Sequence, residues 1–351
     1  MDILIKKKLI RRLLGIVIVI ILCGTLNMGI GSEQKSTEVL GITQEDKNNG
    51  ISVTISKYTR DTDFAIWSDK LSDIDCNVEL CTMEYINNPT DYEFTSVSDI
   101  MTKMEKCRMA LEVNNKHITI LKPHIGTIAE GDGFHRYTYM PSNIAEFFSN
   151  WKETLLWYAS YADNNGIPML CITCEQNLLT SNTYTSYWKD ITSDIKTKYP
   201  NLKLVIAYQP VELQRDIKSK KLGQETLCDY VDSVGLNTYI NIDRKDNFKY
   251  FQTENVMYSE FKKIFNKPLF IAETGATKYS NTSNTNYIAP IYLKSSIVDY
   301  TDQRVYLDVT LNYMLNNENI SGVYLWHITS PFAILDDKES KDVIKKWFGS
   351  N

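Results

Sequence analysis

Eight short apolar runs punctuate the chain, at residues 50–56, 77–83, 117–124, 169–175, 202–207, 231–239, 268–273 and 322–328. Their lengths and aliphatic content read as buried strands. Between them the apolar residues return at helical spacing instead. Ile100, Met104, Cys107 and Leu111 fall at i, i+4, i+7 and i+11. Ile144, Phe147, Phe148, Trp151, Leu155, Tyr158 and Ala162 form a longer stripe, opened by a capping-box-like Asn143 and Glu146 and stopped at Asn165-Gly166. Strand and helix patterns alternating eight times over about 300 residues predict a closed parallel α/β architecture, a single-domain (β/α)8 TIM barrel spanning 50–351. A doubly wound open sheet is the runner-up, but no glycine-rich phosphate loop follows the first strand.

Ahead of the barrel the pattern changes twice. Lys6, Lys7, Lys8, Arg11 and Arg12 precede an unbroken apolar run from Leu13 to Leu22. That order is the n-region and h-region of a signal peptide or signal anchor, here residues 1–31. The expected location is therefore secreted, or on the extracellular face of the membrane. Cys23 follows the apolar run as in a lipoprotein, but Leu22 stands where such sites carry a small residue. Residues 32–49 are polar and charged and read as a linker.

Charge narrows the partners. The whole chain carries −5. Residues 1–30 hold five of its positive charges and Asp2, so the remainder carries a net −9. An acidic body argues against nucleic acid, which is bound through Lys and Arg on phosphate. It suits a neutral polysaccharide, and the 22 Tyr and 6 Trp supply flat faces for sugar rings, although most aromatics must serve the core. Membrane contact is expected only through the N-terminal segment, and the body is expected to be a monomer. Six cysteines follow Cys23 in a chain too rich in core to need a disulfide scaffold. Cys171 and Cys174 spell C-x-x-C, but within a strand they are expected to face opposite ways, as strand cysteines and not a redox or zinc pair. The four His show no metal-ligand spacing, and no metal or organic cofactor is expected.

The candidate chemistry lies at strand ends. Glu175 and Glu273 each close an apolar run, the fourth and the seventh, 98 residues apart, which fits three strand–helix units. The C-terminal ends of barrel strands are where this fold puts catalytic groups, and paired carboxylates are the equipment of a glycosidase. Strict alternation would put Thr173, Cys171 and Met169 in the lumen under Glu175, and Ile271 and Leu269 under Glu273. It would also bring Lys122 with His124, Asn237 with Tyr239, and Tyr324 with Trp326 to the barrel mouth. Any one of these taken alone has a plain structural explanation, such as a solvated turn carboxylate, a hydrogen-bonded core histidine or a packing tryptophan. Two glutamates at matching depth favour function.

Several segments together resemble glycoside hydrolase family 113, the β-mannanase-containing family of clan A barrels. They are Leu-Lys-Pro-His124, the helix from Trp151 through Tyr158 to Ala162, Cys-Ile-Thr-Cys-Glu175, Val-Gly-Leu-Asn-Thr-Tyr239, Pro-Leu-Phe-Ile-Ala-Glu273-Thr-Gly and Gly-Val-Tyr-Leu-Trp326. The resemblance runs from Ile118 to Ile328. It implies a retaining glycoside hydrolase, endo-β-1,4-mannanase-like, working by double displacement. Glu175 would be the acid/base, Glu273 the nucleophile about 5–5.5 Å away, Tyr239 its hydrogen-bond donor and Trp326 the floor of the −1 sugar site. Cys174 stands where many clan A enzymes carry asparagine, so recognition of the sugar 2-hydroxyl falls to Asn237 or Lys122. The alternatives are a β-glucan or cell-wall glycan as substrate, a catalytically silent glycan-binding barrel, or an envelope-assembly protein held by its N-terminus.

Overall fold

The computed structural model describes residues 47–96, 99–239, 247–279 and 297–350. The N-terminal segment at 1–31 and the linker up to residue 46 lie outside them. Eight parallel strands form the barrel: β1 Gly50–Ile55, β2 Asn77–Ile86, β3 Ile118–Thr127, β4 Met169–Cys174, β5 Lys203–Tyr208, β6 Ser233–Asn237, β7 Leu269–Thr274 and β8 Val323–Leu325. Each pairs with its sequence neighbours, and β1 pairs with both β2 and β8, which closes the cylinder. A two-residue strand, Thr95–Ser96, adds antiparallel to the end of β2. It is too short to leave an apolar run, and the sequence reading does not contain it.

Among the described residues, eight α-helices surround the barrel: α1 Asp61–Leu71, α2 Ile100–Glu112, α3 Ile144–Asn164, α4 Thr185–Lys198, α5 Pro210–Lys221, α6 Asn247–Phe265, α7 Thr301–Leu315 and α8 Lys338–Phe348. The α2 stripe is buried at all four expected positions. In α3 the Asn143 side chain accepts the Glu146 N–H at 3.3 Å, satisfying a first-turn donor. Trp151 is fully buried there and its indole N–H donates to the Ile172 carbonyl at 2.9 Å, fastening α3 to β4. Lys47, Asn48 and Asn49, at the end of the expected linker, are tied to the base of the barrel. The Lys47 ammonium donates to the Asn317 carbonyl at 2.7 Å, and the Asn49 side chain accepts the Val323 N–H at 3.2 Å.

Apolar packing falls into two layers. The larger lies between strands and helices; the smaller fills the lumen with Ile120, Cys171, Cys174, Val205, Ala207, Phe270, Ala272 and Tyr324. Here strict alternation fails on both glutamate strands. Against β5, the four residues Cys171 to Cys174 of β4 span the three residues Val205 to Ala207, so a bulge rotates Cys174 into the lumen beside Cys171. The expectation that these two cysteines face opposite ways is thereby corrected. On β7 the lumen is lined by Phe270 and Ala272, while Leu269 and Ile271 face the helices, the reverse of the expected plug. A second bulge, between Ile271 and Glu273, resets the phase just before the carboxylate.

Candidate active site

Glu175 and Glu273 reach one cleft of about 710 Å³ at the C-terminal end of the strands, shared with Tyr239, Trp326, Asp132 and Arg136. Its size is that of an ordinary ligand site. Glu273 is almost fully buried at the tip of β7. Its Oε1 takes the Lys122 ammonium at 2.9 Å and its Oε2 takes the Tyr239 hydroxyl at 2.9 Å. Lys122, fully buried on β3, also meets Glu79 of β2 at 2.7 Å, and Glu79 accepts from the Ser52 hydroxyl at 2.6 Å. Lys122 is thus enclosed beneath the cleft, between two carboxylates. Burial alone would raise the Glu273 pKa, but Lys122 and the neighbouring His124 and Arg136 outweigh it and hold the group below the usual carboxylate range.

Glu175 meets the opposite balance. It follows the β4 bulge with φ of 55°, a left-handed conformation uncommon for a residue with a side chain, and its N–H donates to the Ala207 carbonyl at 2.9 Å. Burial raises its pKa first and the Glu273 charge raises it further; Arg136, whose Nη2 lies 3.7 Å from Oε2, and hydrogen bonds from Asn237 and Gln209 only partly offset them. Strain at such a position is held by its surroundings and costs about 1–3 kcal/mol.

His124 stands on β3 one step above Lys122. Its Nδ1 lies 2.9 Å from Asp132, which Arg136 grips at 2.9 Å from the other side. The guanidinium and the imidazole hold the half-buried Asp132 well below the usual carboxylate range, while burial, then Arg136, pushes His124 down. Neutral His124 therefore donates from Nδ1 and keeps a lone pair on Nε2, which faces Glu273 Oε1 at 3.7 Å. The ring stacks on Trp326 with centroids 5.6 Å apart and planes 18° from parallel. Trp326 stands just beyond β8, joined to His327 by a cis peptide bond. Asn237, at the end of β6, is buried and donates to the Cys174 sulfur at 3.5 Å.

All seven sequence-expected side chains, Lys122, His124, Glu175, Asn237, Tyr239, Glu273 and Trp326, converge here. Glu79, Asp132 and Arg136 join them without having been singled out, and so does Cys174, read from the sequence as a strand cysteine ahead of the acid/base. Glu79 left one signal, a carboxylate inside an otherwise apolar strand. Asp132 and Arg136 come from the loop after β3, where no periodicity marks them. Among the described residues, the atoms of His124, Cys174 and Glu273 that could ligate a metal ion lie within 4.8 Å of one another. The six cysteines of the described residues all carry free thiols.

Comparison with solved structures returns the same barrel. The GH113 β-mannanase AaManA from Alicyclobacillus acidocaldarius superposes with a TM-score of 0.68 at 15% identity, over 86% of this chain and 97% of that one. A GH113 β-1,4-mannanase follows at 0.66 and 14%, over 87% and 99%. The β-glucuronidase from Ruminococcus gnavus matches at 0.55 and 11%, over 86% of this chain and 49% of its own. Identities this low establish the (β/α)8 fold alone. A search of curated proteins finds no match. The profile of Glycoside Hydrolase Family 113, however, matches residues 94–343. That span takes in both glutamates and well over half of the sequence, so the chain belongs to glycoside hydrolase family 113 and is a glycoside hydrolase with a carbohydrate substrate.

Proposed function

We propose that the enzyme is a retaining β-glycosidase of the endo-β-1,4-mannanase type, with Glu273 as nucleophile and Glu175 as acid/base. The observation that carries this reading is the opposed environments of two carboxyl groups in one cleft. Lys122 and Tyr239 keep Glu273 ionised, while burial and its neighbour's charge keep a proton on Glu175. Pairs driven apart in this way divide into base and acid. Ionised Glu273 attacks the anomeric carbon as Glu175 passes its proton to the departing glycosidic oxygen. Glu175, now ionised, takes a proton from water, which attacks the anomeric carbon and releases Glu273. Trp326, held flat by His124, offers the floor for the sugar ring at this point. The β-mannanases among the similar structures support β-mannan as the substrate.

The test is the anomer released first. Purified enzyme is given soluble β-mannan, glucomannan, β-glucan and peptidoglycan, and proton NMR follows the new reducing ends. Release of the β-anomer from β-mannan by the wild type, and by no Glu273→Ala protein, is expected; initial α-anomer would overturn the retaining mechanism. The same proposal has the enzyme exported through residues 1–31, supported by the basic block before the apolar run. Fractionation of expressing cells that left the activity in the cytosol would refute export.

A further inference from the structure

We propose that His124, Cys174 and Glu273 form a binding site for a thiophilic divalent cation, zinc being the type case. The site is no cofactor centre, because filling it would occupy the carboxylate assigned above to nucleophilic attack. Three side chains from three different strands bring an imidazole, a thiol and a carboxylate to one point, a combination no linear spacing announces. The His124 Nε2 and the Cys174 Sγ each lie 3.7 Å from the same Glu273 Oε1, and all three atoms fall within 4.8 Å of one another. Tetrahedral zinc, bound at ~2.0–2.3 Å, holds its ligand atoms roughly 3.3–3.8 Å apart. Two edges of the triangle already match, and the third, within 4.8 Å, must close by up to about 1 Å.

Two independent features turn these atoms toward a cation. The Nε2 of His124 is fully buried and makes no hydrogen bond, although its ring is fixed through Nδ1 on Asp132. That carboxylate–histidine pairing is the arrangement that orients imidazole lone pairs onto metals, and Arg136 in turn fixes Asp132. Cys174, rotated inward by the β4 bulge, receives the Asn237 amide on its sulfur at 3.5 Å and points its thiol at Glu273 Oε1, 3.7 Å away, so an arriving ion would displace that proton. Binding releases the thiol proton to solvent, so a divalent ion adds a single net charge beside Lys122.

The test uses the full-length chain with Co²⁺ as the probe. The expected result is one equivalent bound, with a near-ultraviolet thiolate-to-cobalt charge-transfer band that Zn²⁺ displaces. Cys174→Ser should lose the band, whereas Cys171→Ser, altered three residues earlier in the same lumen, should keep it. Asp132→Asn should keep the band with affinity lowered about 10–100-fold, as for other loosened ligand supports. Far-ultraviolet circular dichroism checks that each variant is folded. No band in the wild type, or a band that survives Cys174→Ser, overturns the site. The inhibitory consequence alone rests on the role proposed for Glu273. Hydrolysis that continued with the band at full strength would count against that role and leave the site standing.

Discussion

A single lysine sets the chemistry of the cleft. Without Lys122, burial would push Glu273 toward its protonated form, since the ammonium is the first group opposing desolvation. Because Glu273 must be ionised and Glu175 protonated, kcat/KM should follow a bell. Its acidic limb should lie below the ordinary carboxylate range and its basic limb above it. In Lys122→Met the acidic limb should move to higher pH, visible in the pH–rate profile. The same change strands Glu79 and Glu273 and should cost about 3–5 kcal/mol in urea unfolding, the usual result of breaking a buried ion pair from one side. Tyr239→Phe removes one donor to an ionised oxygen, worth about 1.5–3 kcal/mol, so kcat/KM should fall by up to roughly 10- to 150-fold and the urea midpoint should fall with it. The seven expected side chains were readable because each lies within or closes an apolar run. Asp132 and Arg136 were not, since a loop side chain declares its direction only once the chain around it is folded.

Among elements, the two bulged strands matter most. Counting by twos from Glu273 gives the wrong inward set, and from Glu175 it finds Cys171 and Met169 but misses Cys174, because a bulge inserts one residue without altering composition. Strand number, order and the sites of the carboxylates were legible; the phase along β4 and β7 was not. Beyond β7, Gly275 passes so close to β8 that an added Cβ would lie 1.9 Å from the Trp326 carbonyl oxygen. The neighbouring Trp326 N–H donates to the Thr274 carbonyl at 2.8 Å, which holds nucleophile strand and sugar floor at a set spacing. Gly275→Ala should therefore wedge these ends apart, costing about 1–3 kcal/mol as other overpacking does. It should also lower kcat through misplacement of Glu273 and Trp326, measurable as lost turnover in a protein that still melts cooperatively.

At the scale of the molecule, acid should loosen the barrel through a histidine on its last strand loop. His327 is buried between Thr54 and Thr329, and the Thr329 N–H donates to its Nδ1, so the ring is neutral. Burial lowers its pKa from 6.5 to about 4. The unfolded chain takes up this proton first as pH falls, so the stability is complete above about 6.5 and lost progressively toward about 4. The melting temperature should drop across that window, and less so in His327→Gln. Barrel closure also bears on the time course of biogenesis. β1, the first strand made, finds its second partner only in residues 323–325, near the end of the chain. An emerging polypeptide therefore carries two open sheet edges, on β1 and on its newest strand, until residues 323–325 have been made, and such edges pair with other chains. A protein ending at residue 320 should aggregate on refolding where the full chain does not. Under the export proposed above, that closure keeps the barrel from locking shut before residues 323–325 arrive.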